Sequence, residues 1–125
     1  MEKTNLEMVR GDTLSFAFEV EYDEALQKLD SAYFTCKENY DDDTPIFQKS
    51  LGHGITLAKQ EDGKLYYVVR VAPEDTVNVE PGHYYYDLQI GINGDVFSIL
   101  IGSLKIHNDV TKVTAIKPIE TGGFS

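Results

Sequence analysis

The stretch PGHYYYDLQIGINGDVFSILI, residues 81–101, decides the fold of this chain. On both sides of Asn93-Gly94, apolar and polar residues alternate with a period of two, which is typical of half-buried β-strands. Asn and Gly tolerate positive φ and favour the tight turn of a β-hairpin. The inward face of the first strand is predicted to carry Tyr84, Tyr86, Leu88 and Ile90.

The same period recurs along most of the chain. Further strands are predicted at residues 6–10, 13–21, 31–38, 46–50, 55–58 and 64–72. Asp62-Gly63 indicates a second tight turn. Helix is predicted only in short connections at residues 23–29 and 72–77, the second because Pro73 suits a first helical position. Many short strands with little helix favour an antiparallel sandwich or barrel, so the class is all-β.

The alternation also predicts the core and one irregularity. Phe97, Ile99 and Ile101 alternate, and the phase then changes near Gly102-Ser103, which predicts a β-bulge there. A contiguous core is expected from Phe16, Phe18, Phe34, Val69, Leu88 and Ile99.

The length of 125 residues suits one domain, assigned to residues 1–110. Residues 111–125 are predicted to form a C-terminal arm or linker, since they contain Pro118 and too few apolar residues to form a core. Val110, Val113 and Ile116 are the apolar residues through which this end is expected to contact a partner.

Charge and hydropathy limit the partners. The formal net charge is -10, from 11 Lys and Arg against 21 Asp and Glu, so nucleic acid is not an expected partner. The longest apolar stretch, Val96 to Leu104, is too short to span a bilayer, so no membrane partner is expected. The N-terminus has no apolar segment of the signal-peptide kind, and the single cysteine, Cys36, fits a reducing compartment.

Few residues are candidates for chemistry. The consecutive carboxylates Asp41, Asp42 and Asp43 are the only local candidate for a metal ion, but the spacing of a calcium loop is absent. The three histidines are dispersed, and no nucleophile motif or glycine-rich phosphate loop is present. We therefore expect no catalytic residue, no cofactor and no enzymatic activity.

The run Tyr84-Tyr85-Tyr86 has two interpretations, a platform for a sugar or peptide and packing in the core, of which core packing is favoured. Tyr84 and Tyr86 are predicted to face the core, whereas Tyr85 faces outward, with Tyr66 as a second candidate on an outer face. Exposed tyrosines of this kind anchor protein interfaces.

Three segments, in this order, resemble a known family: MVRGDTLSFAFEV, VAPEDTVNVEPGHYYYDLQI and GDVFSILIGSLKIHNDVT. They are similar to small phage and prophage proteins, in particular the immunoglobulin (Ig)-like N-terminal domain of phage baseplate upper proteins. The resemblance spans about residues 6 to 114, and its motifs are structural. It implies an Ig-like antiparallel β-sandwich of about seven to nine strands.

The resemblance also implies a tyrosine corner and a function. Glu74-Asp75-Thr76 followed by Pro81-Gly82 looks like the corner at which Tyr84 bonds to backbone near Asp75 to Val79. The implied role is a non-enzymatic tail or baseplate-type module that contacts other virion or prophage-encoded proteins, or forms a homo-oligomer. Its implied location is the virion, or the host bacterial cytoplasm before assembly. The alternatives are a carbohydrate- or ligand-binding β-sandwich and a small enzyme of unrecognised type.

Overall fold

The computed structural model of the protein describes residues 2–21 and 28–110, and within them the chain is almost entirely β-structure. Its elements, in chain order, are β1 (Glu2–Lys3), β2 (Leu6–Val9), β3 (Leu14–Glu21), β4 (Ser31–Lys37), β5 (Phe47–Leu51), β6 (Gly54–Glu61), β7 (Lys64–Val71), α1 (Pro73–Thr76), β8 (Gly82–Ile92) and β9 (Asp95–His107).

The strands form two layers. In the first layer β9, β8, β4 and β5 lie side by side in antiparallel order, and β1 and β2 both run parallel to β9. In the second layer β7 pairs with both β6 and β3. A short parallel pairing, Ser50 with Gly54 and Leu51 with Ile55, joins the layers at one corner. The chain passes from the first layer to the second and back twice, once through β3 and once through β6 and β7. This two-layer arrangement is that of an Ig-like β-sandwich, so the predicted fold class is confirmed.

The hairpin of β8 and β9 forms at the predicted turn. Asn93 and Gly94 have φ values of 54° and 86°, as the favoured two-residue hairpin turn requires. The bulge in this hairpin is not where the sequence analysis placed it. Leu88 pairs with Leu100 but Gln89 pairs with Ser98, so Ile99 is the extra residue. Leu100 therefore shares the face of Leu104, and Ile101 lies on the opposite face, because one inserted residue reverses the alternation.

The core lies between the two layers around Phe34 of β4, which is fully buried. The ring centroid of Phe34 is 5.3 Å from that of Phe16 in the other layer and 5.3 Å from that of Tyr86 in its own. Val69 and Leu88 are also fully buried, and the partly buried residues Phe16, Phe18 and Ile99 pack against the same cluster. The predicted core is thus confirmed.

The N-terminal segment crosses closely over β9 between β1 and β2. The side-chain oxygen of Asn5 accepts a hydrogen bond from the backbone N–H of Ser103 at 3.3 Å. The carbonyl of Thr4 accepts one from the Tyr86 hydroxyl at 2.7 Å. A Cβ at Gly102 would lie 1.9 Å from the Thr4 oxygen, so only glycine allows this approach.

A single helical turn connects the second layer back to the first. The turn α1 begins after Ala72, whose N–H donates to the Asp75 carboxylate at 2.7 Å, and it falls where the sequence analysis predicted it. Thr76 is fully buried, and its hydroxyl accepts a hydrogen bond from the N–H of Gly11 at 2.8 Å. The other predicted helix, at residues 23–29, lies mostly outside the described residues. No described helix has the length and apolarity that a membrane span requires.

Tyr84 lies at the start of β8 and is 7% exposed. Its hydroxyl donates to the backbone carbonyl of Glu80, one residue beyond the expected range of acceptors. Asp75, expected beside Tyr84, instead forms an ion pair with Lys49 at 2.8 Å. Burial raises the pKa of the Tyr84 hydroxyl. The contact ties the connection before β8 to its own strand, as a tyrosine corner does.

Tyr84→Phe is expected to lower the free energy of unfolding by about 1 kcal/mol, because the part-buried hydrogen bond from the Tyr84 hydroxyl to the Glu80 carbonyl is lost. Urea unfolding followed by fluorescence measures the change. Tyr33→Phe is the matched control, since Tyr33 is 41% exposed, and we expect a change below about 0.5 kcal/mol. Equal unfolding midpoints for the two variants would show that the corner contact does not stabilise the fold.

Candidate functional site

The outer face of the first layer carries a shallow groove with a volume of about 480 Å³. It lies over β4 and β8, where the outward residues pair across the strands as Tyr33 with Gln89, Thr35 with Asp87 and Lys37 with Tyr85. We call this surface the tyrosine groove. Its lining includes Tyr33, Thr35, Lys37, Tyr40, Tyr85 and Asp87.

Three tyrosine rings of the groove are exposed to solvent. Tyr33 is 41% exposed, Tyr40 60% and Tyr85 38%. The rings of Tyr40 and Tyr85 stack with their centroids 4.3 Å apart and their planes inclined by 29°. Clustered exposed aromatic rings mark interaction surfaces, because they keep apolar area in water that a partner can cover.

The loop between β4 and β5 forms one wall of the groove and is held by local hydrogen bonds. The N–H of Asn39 donates to the Asp42 carboxylate at 3.0 Å, and the N–H of Asp42 donates to the Asn39 carbonyl at 3.1 Å. At the end of the loop, the N–H of Ile46 donates to the carbonyl of Cys36 at 2.7 Å. These bonds fix the loop that presents Tyr40 to Tyr85.

The three consecutive carboxylates do not form a metal centre in the described structure. Asp42 is engaged in the turn with Asn39, Asp43 lines the groove, and Asp41 is exposed. In residues 2–21 and 28–110, no cluster of three or more His, Cys, Asp or Glu side chains is suited to hold a metal ion.

Asp87 occupies the middle of the groove and is half-buried there. Burial raises the pKa of its carboxyl above the ordinary value, and the positive charge of Lys37 on the neighbouring strand acts in the opposite direction. The raised pKa means that removal of the carboxylate from water outweighs the attraction of Lys37. Ionisation of Asp87 therefore lowers the stability of the folded protein.

Of the predicted interface residues, the described Tyr66 and Tyr85 lie on opposite faces of the sandwich. Tyr85 lies in the tyrosine groove, whereas Tyr66 lies on β7 in the second layer, where the ammonium of Lys59 is 4.9 Å from its ring centroid. Because Tyr67 is buried between the layers, Tyr66 faces outward on the opposite side of the sandwich. Val110 is 94% exposed, and Val113 and Ile116 lie outside the described residues.

The sequence analysis did not propose several residues of the groove, among them Tyr33, Tyr40 and Asp87. Tyr33 and Asp87 occupy outward phases of predicted strands, and this was the only signal available for them. Their convergence depends on β4 lying beside β8, which no local pattern specifies. Tyr40 lies in a loop, where strand alternation gives no information.

Other polar contacts brace the fold away from the groove. Arg10 donates to the carboxylate of Asp109 at 3.0 Å and to the side-chain oxygen of Asn108 at 3.1 Å, which ties the end of β2 to the residues after β9. Cys36 is fully buried, and burial raises the pKa of its thiol to about 12. Its thiol is therefore protonated at neutral pH and is not a nucleophile.

Comparisons with known proteins assign no family to the chain. No protein-family model and no curated protein matches it. One solved structure that it resembles contains parallel homodimers of the extracellular domains of the voltage-gated sodium channel beta4 subunit, described there in relation to cell–cell adhesion. The identity is 12%, the alignment covers 88% of this chain and 95% of the other, and the TM-score is 0.38. So low a score carries no conclusion, and the fold assignment above depends on strand order and register alone.

Asp87→Asn is expected to stabilise the protein at neutral pH. The folded protein holds the Asp87 proton more tightly than the unfolded chain does, so ionisation costs stability as the pH rises through the raised pKa. The variant should therefore unfold at a higher urea concentration than the parent at pH about 7, and the difference should vanish below pH about 3, where both states are protonated.

Asp43→Asn is the control for this prediction, since it removes the same charge from an exposed carboxylate that also lines the groove. Its effect on unfolding at neutral pH should be smaller than that of Asp87→Asn. A destabilised Asp87→Asn variant at neutral pH would mean that the carboxylate is favourably paired in the folded protein.

Proposed function

We propose that this chain is a non-enzymatic binding module that acts by protein–protein contact through the tyrosine groove. The observation that carries the proposal is the group of three exposed tyrosines on one face of a paired sheet. Tyrosine supplies a large contact area with few rotatable bonds, so little conformational entropy is lost when a partner binds. A sheet face with this composition suits a macromolecular partner.

The groove is organised before any partner arrives. Tyr33 and Tyr85 project from adjacent strands that pair over the whole of β4, and Tyr40 is held against Tyr85 by stacking. The loop that carries Tyr40 is closed by its own hydrogen bonds. Such preorganisation reduces the free-energy cost of ordering side chains on binding and thereby strengthens association.

In its narrower form, the proposal is that the module belongs to a tail or baseplate-type virion structure of a phage or prophage. Its support is the resemblance of three sequence segments to Ig-like virion modules. The residues from those segments that support the fold are Gly11, Thr76 and Tyr84, each of which forms a hydrogen bond at a connection between strands. Its partners would be other virion or prophage-encoded proteins or a second copy, in the virion or in the host cytoplasm before assembly.

A carbohydrate ligand is the second candidate, since the groove places polar groups of Asp87 and Gln89 beside tyrosine rings. The geometry favours the protein partner. Sugars bind aromatic residues through open ring faces, but Tyr40 and Tyr85 cover one face of each other at 4.3 Å. For the enzyme alternative, no feature of the described residues argues in favour, since the thiol of Cys36 is buried and protonated.

The double variant Tyr40→Ser, Tyr85→Ser is expected to weaken partner binding by about 30-fold or more, as loss of an aromatic anchor at an interface does. The partners to test are the proteins encoded by the genes next to the gene of this chain. Each is immobilised, and its binding of the purified chain is measured by biolayer interferometry. Sedimentation velocity on the parent, over a range of concentrations, tests a second copy as the partner.

Tyr66→Ser is the matched control, because it removes the same ring from the outer face of the other layer. It should leave binding unchanged. Binding that survives the double variant but is lost with Tyr66→Ser would move the interface to the second layer. A glycan array that retains the parent, but not the double variant, would replace the protein partner with a carbohydrate.

A further inference from the structure

Asp87 is the half-buried carboxylate of the groove, whereas Asp43 is exposed. Asp87 lies between Thr35 on β4 and Ile101 on β9, in the central part of the sheet. Neither of these neighbours carries a charge. Lys37, diagonal to Asp87 on β4, attracts the carboxylate, but this attraction is smaller than the effect of burial. Among the described residues, no Lys, Arg or His forms an ion pair with its carboxylate. A half-buried carboxylate in such a position costs free energy unless an opposite charge reaches it.

The groove offers a specific environment for that opposite charge. Tyr85 stands two residues before Asp87 on the same strand, and Tyr33 lies diagonally across on β4. Side chains in these positions reach one another on one face of a sheet. A carboxylate flanked by aromatic rings suits a guanidinium or ammonium group, which is attracted by the carboxylate and by the ring faces together.

We propose that Asp87 receives an Arg or Lys side chain presented by a partner protein, with Tyr33 and Tyr85 beside it. The proposal rests on the proposed function of the groove and specifies the chemistry of the partner at its centre. The partner should carry the basic side chain on a segment that lies across β4 and β8. The attraction between the Asp87 carboxylate and the partner's cation would then offset the free energy that the carboxylate loses when water is removed from it.

Charge supports a basic partner over a neutral or acidic one. The chain carries a formal net charge of -10, so its field attracts a basic segment and repels an acidic one. The other charged groups that line the groove are Lys37 and Asp43, which are opposite in sign. Asp87 therefore leaves the groove with an excess of negative charge. The positive charge of Lys37 does not offset the burial of the Asp87 carboxyl, whose pKa is raised.

A titration with small molecules tests the cation directly. The ¹⁵N-labelled parent chain is titrated with N-acetyl-arginine amide, and separately with N-acetyl-citrulline amide, its neutral isostere. We expect saturable NMR shifts at the amides of Thr35, Asp87 and Ile101 with the arginine compound. The citrulline compound and the Asp87→Asn variant should each show at least about 10-fold weaker binding, since the charge pair is lost in both.

Asp43→Asn is again the control, because it lowers the negative charge of the groove equally while leaving its centre intact. It should retain most of the binding. The proposal is overturned if arginine and citrulline bind alike, if Asp87→Asn binds arginine as the parent does, or if Asp43→Asn loses as much as Asp87→Asn.

These outcomes are distinct from failure of the proposed function. If arginine does not bind but the Tyr40→Ser, Tyr85→Ser variant still loses its partner, the groove is an interface without a cation at its centre. If arginine does not bind and the Tyr40→Ser, Tyr85→Ser variant binds its partner as the parent does, the groove is not the binding site. If the partner proves to be a second copy, its contributing side chain is identified by charge reversal at each Lys and Arg.

Discussion

Burial of Phe34 between the layers is the contact on which the rest of the structure depends. Its ring meets Phe16 from the other layer and Tyr86 from its own. Because side chains alternate along a strand, an inward Phe34 commits Tyr33 to the outer face, and an inward Tyr86 does the same for Tyr85. The chemistry of the outer groove is therefore set by the packing of the core, and the two cannot be shifted independently.

Local patterns predicted most of the fold because its strands and turns are encoded locally. The alternation in residues 81–101 and the Asn93-Gly94 turn were sufficient to predict the β8–β9 hairpin. The bulge was misplaced because residues 99–101 are all apolar, so their pattern does not show which one is extra. The groove was mostly missed because it requires the lateral order of β4 and β8, and lateral order depends on contacts between residues distant in sequence.

Asp87 illustrates how a binding surface differs from a surface chosen for stability alone. An apolar or amide side chain at this position would satisfy the sheet without the cost of a half-buried charge. By contrast, the half-buried charges of Arg10 and Asp75 have their partners within the chain, in Asp109 and Lys49. Charges that the fold uses for itself are paired, and Asp87 stands apart from them in the described structure.

The parallel pairing of the N-terminal strands with β9 has a mechanical consequence. The strands β1 and β2, within Glu2 to Val9, lie alongside Leu100 to His107 of β9, and all three strands run in the same direction. If the chain is pulled from the start of β1 and the end of β9, tension acts along these strands in opposite directions. All the hydrogen bonds of the pair are then loaded together in shear, and none can open first as in a peeled hairpin. A module joined to its neighbours through these two strands would resist stretching more than its thermal stability indicates.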